Sequence, residues 1–179
     1  MNGDTRLMMQ IMRKRINKHS IALVFFFSVV NLCTGQEIRR VSAIDLESYI
    51  AKSDKPMIIN MWATWCQPCI AELPYFLEEV NRHNSSSPAD SIGLLLVSLD
   101  FKESYPEGIL AFAAKRKVDA TIVWLDETNA DYFCPKVDSK WSGAIPATLF
   151  INNKTGYRKF VEEQLSHAQL KEEIMAILK

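Results

Sequence analysis

The chain has 179 residues, 48% of them hydrophobic and 23% charged, with a formal net charge of zero. That is the composition of a folded domain rather than a disordered or fibrous chain, and the length suits one domain with a sizeable core. Overall neutrality, with no lysine–arginine stripe interleaved with aromatics, argues against a nucleic-acid partner.

The charge is nevertheless unevenly spread. Residues 1–35 hold Arg6, Arg13, Lys14, Arg15 and Lys18 against Asp4, a balance of +4 that leaves −4 for the remainder. This basic start runs into residues 21–30, ten positions without a charge, which is the form of a secretory signal peptide. The run falls short of the roughly 20 apolar residues of a membrane span. Cys33-Thr34-Gly35 supplies small residues for cleavage before Gln36. Two alternatives stay open: retention of residues 1–35 as an uncleaved membrane anchor, and lipid attachment at Cys33. Against lipidation, Val30-Asn31-Leu32 lacks the small residue usual before such a cysteine. All three readings put the domain, residues 36–179, outside the cytoplasm, in the periplasm or cell envelope.

Ser42-Ala43-Ile44-Asp45 has the form of a capping box and predicts a helix to about residue 52, with Ile44, Leu46, Tyr49 and Ile50 at its apolar positions. Residues 56–62 form a continuous apolar run, as expected of a buried central strand. Trp65-Cys66-Gln67-Pro68-Cys69 follows, where strand passes into helix. A thiolate is the attacking species in disulfide exchange, and the positive end of a helix lowers its pKa. The second sulfur, one helical turn on, can attack the resulting mixed disulfide and release the product. From residue 67 to about 84 the spacing of Ile70, Leu73, Leu77 and Val80 is helical, with a kink expected at Pro74, which lacks a backbone donor.

Residues 84–91 read as a polar loop, and residues 92–99 as a second buried strand ending at Asp100. Pro106 suits the first turn of a helix to about residue 118, with Ile109, Leu110, Phe112 and Ala113 inward. A third strand is predicted over 121–125, then a short helix plus loop over 126–142. Residues 147–151 and 157–161 read as a hairpin about the turn 152–156. Ser166-His167-Ala168-Gln169 is a second capping box, opening a terminal helix with Leu170, Ile174, Ile177 and Leu178 inward. This order describes an α/β fold: a mainly parallel sheet with helices on both faces and one antiparallel edge.

Loss of the leader would leave Cys66, Cys69 and Cys134, too few for a disulfide framework. Half a zinc site is the alternative use of Cys66 and Cys69. Zinc needs four ligands, no second CxxC exists, and His19, His83 and His167 are scattered along the sequence, so neither metal nor other cofactor is expected.

On these residues the chain resembles the thioredoxin superfamily, and within it the TlpA/ResA-like exported thiol–disulfide oxidoreductases. The resemblance covers about residues 40–179. It rests on Trp62-Ala63-Thr64-Trp65-Cys66-Gln67-Pro68-Cys69-Ile70-Ala71-Glu72-Leu73-Pro74 and on Gly143-Ala144-Ile145-Pro146-Ala147-Thr148-Leu149-Phe150. It implies a thioredoxin-like fold, a central mixed sheet flanked by helices, with an extra helix–strand insertion at 106–125. It implies that Cys66 and Cys69 form a redox-active disulfide, Cys66 as the exposed attacking sulfur and Cys69 as the buried resolving one. Gln67 and Pro68 would tune the redox poise, and Trp65 would cover the dithiol. Pro146 would be cis, leaving the backbone of Ile145 free to pair with an extended substrate.

The chain departs from thioredoxin in carrying Asn60 where thioredoxin has a buried aspartate. An amide cannot exchange a proton at neutral pH, so the resemblance passes that role to Glu72, on the same helix face as Cys69; the alternative is a solvated helix residue. Cys134 matches no family motif and reads as a packed, inert thiol. Trp124 and Trp141 read as packing, with Trp141 alternatively lining the substrate groove. The function implied is reduction or exchange of disulfides in protein substrates by an exported enzyme, expected to be a monomer. The alternatives are a redox-inert binding module of the cell envelope and a peroxidase of the same superfamily. Dithiols of this fold span roughly −270 to −120 mV. A reductant, favoured by the lack of histidine between the cysteines, requires a membrane electron donor.

Overall fold

The computed structural model describes residues 36–179. The expected leader and the Cys33 alternative lie outside the described residues. Among those described, no helix is long and apolar enough to cross a membrane.

Six strands form one sheet: β1 (Arg39–Val41), β2 (Met57–Trp62), β3 (Gly93–Ser98), β4 (Thr121–Leu125), β5 (Ala147–Asn152) and β6 (Tyr157–Val161), in the order β1-β4-β3-β2-β5-β6. The first four are parallel, whereas β5 runs antiparallel to β2, and β6 antiparallel to β5. The thioredoxin-like α/β fold, with its antiparallel edge and its helix–strand insertion, is therefore present. Five helices cover the sheet: α1 (Ala43–Ala51), α2 (Gln67–Ser86), α3 (Glu107–Arg116), α4 (Ala130–Val137) and α5 (His167–Ile177).

Side chains alternate along each strand, and β2 shows what that does. Met57, Ile59 and Met61 point to the core shared with α1 and α4, whereas Ile58 and Trp62 point to the cores packed under α2, α3 and α5. Asn60, in step with Ile58 and Trp62, is thereby aimed at the α2 side and is wholly buried. Both capping boxes form, at Ser42 with Asp45 and at Ser166 with Gln169; each such cap is worth about 1 kcal/mol.

Several expectations need correction. The edge strand β1 was not expected: two of its three residues are exposed arginines, and it hydrogen-bonds only to β4, so it carries no apolar run to read. On α1 the buried face is Ala43, Leu46 and Ile50, while Ile44 and Tyr49 are 58% and 41% exposed. Helix α2 runs through Pro74 as expected and ends two residues later than expected, at Ser86. Pro74 is exposed, so the carbonyl that its missing N–H would have served can turn to water. Pro106 stands just before α3 rather than inside it, and its bond to Tyr105 is cis. That helix stops at Arg116 because Lys117 adopts the left-handed conformation, φ 54°, and Val118 N–H returns to Ala113 O.

Phe150, on β5, is fully buried against the α5 side of the sheet. Phe150→Ala is expected to lower unfolding stability by about 3–5 kcal/mol, read as a fall in the urea midpoint at unchanged slope.

Candidate active site

The C-terminal end of β2 delivers the chain into α2 through Ala63, Thr64 and Trp65. Asp100, just beyond β3, holds this turn. Its carboxylate accepts from Thr64 N–H at 3.0 and 3.1 Å, from the Thr64 hydroxyl at 2.5 Å and from the Ser98 hydroxyl at 2.8 Å. Trp124 Nε1 in turn donates to the Asp100 carbonyl at 2.8 Å. In the sequence Asp100 registers as the end of a strand and no more, because its partner lies 36 residues away.

Cys66 is the N-cap of α2, and its sulfur accepts from Cys69 N–H at 3.3 Å. The two cysteines are joined as a disulfide, with Cα atoms 5.3 Å apart. Cys66 is buried rather than exposed, at 5%, and Cys69 is wholly buried, so Cys66 is the less enclosed of the two. Gln67 and Pro68 are exposed on the first turn of α2. The positive end of a 20-residue helix sits at this sulfur pair, which favours a thiolate there.

Glu72 lies one turn beyond Cys69 and is completely buried, not solvated. Its two oxygens accept from Asn60 Nδ2 at 2.9 Å and from Leu165 N–H at 2.8 Å. Asn60 Nδ2 also donates to Thr148 Oγ1 at 3.0 Å, its partner in register on β5. Burial raises the Glu72 pKa to about 7, against the opposing pull of the Leu165 and Asn60 hydrogen bonds. A carboxyl group there can gain or lose a proton near neutral pH. Asn60, which cannot exchange a proton, is instead a donor to the group that can.

The Ile145–Pro146 bond is cis. Ile145 lines a cleft of about 480 Å³ together with Trp65, Phe101, Trp124 and Phe133. Trp65 is 53% exposed and stacks on Phe101 with ring centroids 5.9 Å apart. Trp141 does not line this cleft; it is buried edge-on to Phe133 and donates from Nε1 to Ala144 O at 2.8 Å. Cys134 is unpaired and buried, and burial pushes its thiol up to about 11, helped by Glu162 and Asp131. A second cleft of about 560 Å³, lined by Tyr49, Lys52 and Met57, lies toward the start of β2 and carries neither cysteine nor histidine.

One histidine that looks isolated in the sequence is not. His167 Nε2 lies 2.7 Å from Glu79 Oε1, and Glu78 comes close enough to form a three-ligand cluster with them. Burial alone would raise the Glu79 pKa, but Arg82, His167 and Lys171 hold it below the usual carboxylate range. These three side chains already occupy the carboxylate that a metal ion would need.

No protein-family model matches the chain. It is 29% identical over 126 residues to the sporulation thiol-disulfide oxidoreductase A of Bacillus subtilis, covering 69% of this chain and 68% of that protein. It is 32% identical over 108 residues to the thiol-disulfide oxidoreductase ResA of Oceanobacillus iheyensis, covering 52% of this chain and about half, 54%, of the relative. Among solved structures it is similar to StoA from Bacillus subtilis, with a TM-score of 0.52 at 26% identity over 69% of this chain and 84% of that one. A thioredoxin-related protein from Neisseria meningitidis shares the fold, with a TM-score of 0.56 at 22% identity over 70% and 86% of the two chains.

The raised pKa of Glu72 fixes the sign of a pH effect. The native state holds this proton up to about pH 7, whereas the unfolded chain releases it near 4.5. Stability from this group is complete below about pH 4.5 and is lost as pH rises to 7, a swing of about 3 kcal/mol. Denaturant titrations between pH 4.5 and 8 should show this fall in the wild type and not in Glu72→Gln; parallel pH profiles would remove the buried ionisation.

Proposed function

The chain belongs to the thioredoxin superfamily, as a ResA-like thiol–disulfide oxidoreductase, and on that premise we propose that it is an exported enzyme reducing or exchanging disulfides in protein substrates. The observation that carries this reading is the Cys66–Cys69 bond at the start of α2, next in sequence to the cleft-lining Trp65, with the wholly buried Cys69 one turn from a carboxyl group of raised pKa.

In the reduced enzyme the Cys66 thiolate attacks one sulfur of the substrate disulfide. A mixed disulfide forms and the other substrate sulfur leaves as a thiolate. Cys69 gives its proton to Glu72 and attacks the Cys66 sulfur. The second substrate sulfur departs, and the 66–69 disulfide closes. Two electrons have passed from enzyme to substrate, and a membrane electron donor restores the dithiol if the enzyme works as a reductant. Gln67 and Pro68, exposed inside the dithiol turn, tune its potential. Trp65 and Ile145, at the cleft, receive the substrate chain, with Pro146 fixing the backbone beside it. The basic, then apolar, leader supports a site of action in the periplasm or cell envelope. A redox-inert binding role leaves the cysteine pair and the buried carboxyl without a use.

The test is insulin reduction with dithiothreitol as electron source. Wild type should accelerate it and Cys66→Ala should not, while Cys69→Ser should accumulate a mixed disulfide visible on non-reducing gels. Full turnover by Cys66→Ala would exclude the mechanism. Equilibration with glutathione gives the direction: a reductant lies nearer about −270 mV than about −120 mV.

A further inference from the structure

The loop that presents Ile145 is fastened from outside by one carboxylate. Glu162, just after β6, accepts from the main-chain N–H of Ser142 at 3.0 Å and of Ala144 at 3.0 Å, and from the Ser142 hydroxyl. Its second oxygen lies 3.2 Å from the same Ser142 nitrogen. From the other side, Trp141 Nε1 donates to Ala144 O at 2.8 Å. Between them Gly143 adopts φ +97° over α4, where a side-chain carbon would sit 3.5 Å from Ala130 Cβ and 3.6 Å from Cys134 Sγ. Both polar main-chain groups of Ala144 are thus engaged. Those of the next residue, Ile145, have no partner among the described residues.

Resting on the dithiol reading above, we propose that Glu162 is a positioning residue for substrate capture. It locks Ser142 and Ala144 so that Ile145 stands ordered, with its N–H and C=O turned free, beside the cleft and the Cys66 sulfur. An extended substrate segment then pairs with an edge that is already in place, and the ordering of four loop residues is not charged against binding. Charge-assisted bonds to main-chain N–H groups suit this task, being stronger than neutral ones. No hydrogen bond links Glu162 to Asn60, Glu72 or either active-site cysteine, so its influence falls on docking rather than on the chemistry of the dithiol.

The experiment compares wild type, Glu162→Gln and Glu162→Ala, all as the full chain. Three readouts are taken: KM and kcat for insulin with dithiothreitol, the rate at which the reduced protein reacts with the small disulfide 5,5′-dithiobis(2-nitrobenzoate), and amide hydrogen exchange at Ser142 and Ala144. Glu162→Ala should raise the insulin KM roughly tenfold, in line with loss of a charge-assisted bond. Its rate with the small disulfide should stay within about twofold, because such a ligand makes no backbone pairing. Exchange at Ser142 and Ala144 should quicken at least about tenfold, with Leu149 unchanged. Glu162→Gln, which keeps one acceptor oxygen, should fall between. Equal loss with both disulfides, or an unchanged KM, overturns the proposal. Wild type inactive on both disulfides defeats the dithiol reading instead; exchange at Ser142 and Ala144 that is unchanged in Glu162→Ala overturns the positioning role even then.

Discussion

The structure turns on a carboxylate kept out of water. Glu72 sits on the inner face of α2, where an apolar residue would pack at lower cost, and a buried carboxylate without donors would be strongly destabilising. The fold supplies donors from two places remote in sequence: the amide of Asn60 on β2 and the N–H of Leu165 on the way into α5. One carboxyl group therefore ties the central strand, the active-site helix and the last connection together. Its position also suits the proton-handling role proposed for it. A carboxyl group held by neutral donors, rather than by a lysine or arginine, stays poised near neutral pH, where a salt-bridged one would be locked in its charged form.

Two other carboxylates do comparable work at the same end of the sheet. Asp100 fixes the turn before Cys66 through Thr64, and Glu162 fixes the loop before Pro146 through Ser142 and Ala144. Each takes main-chain N–H groups of a non-repetitive segment that no strand or helix can satisfy. The cleft walls are consequently set by hydrogen bonds of fixed geometry rather than by apolar contact alone. Trp124 and Trp141 complete the pattern: each buries its ring and donates its N–H to a carbonyl of one of these segments, Asp100 and Ala144 respectively.

What the sequence revealed and what it hid divide along the range of the forces. Capping boxes, the buried strand, the hairpin and the cysteine pair depend on neighbours within a few positions, so Ser42, Ser166 and residues 56–62 could be read directly. The family resemblance carried Glu72 and Pro146 into view. The carboxylate clamps could not be read, since Asp100, Glu72 and Glu162 find their partners 36, 93 and 20 residues away. The pairing of Asn60 with Glu72 lay between these cases. Strand alternation puts Asn60 in step with Ile58 and Trp62, but only the packing of α2 across β2 shows which residue it meets. The face of α1 was misjudged for a related reason: apolar spacing identified four candidates, and the sheet accepted Leu46 and Ile50 while leaving Ile44 and Tyr49 in solvent.

The connection between β6 and α5 joins the two halves of the proposed chemistry. At its start Glu162 reaches out to the substrate-facing loop; at its end Leu165 is held by Glu72. When Glu72 takes a proton, its bond to Leu165 changes from charge-assisted to neutral and weakens. The contacts of Glu162 with Ser142 and Ala144 involve no titrating partner, so they keep their strength through the same step. Proton uptake thus loosens the inner end of the connection and leaves the outer end fixed. The edge proposed to receive a substrate is thus held by contacts separate from those of the carboxyl group proposed to take the resolving proton, and one short segment carries both.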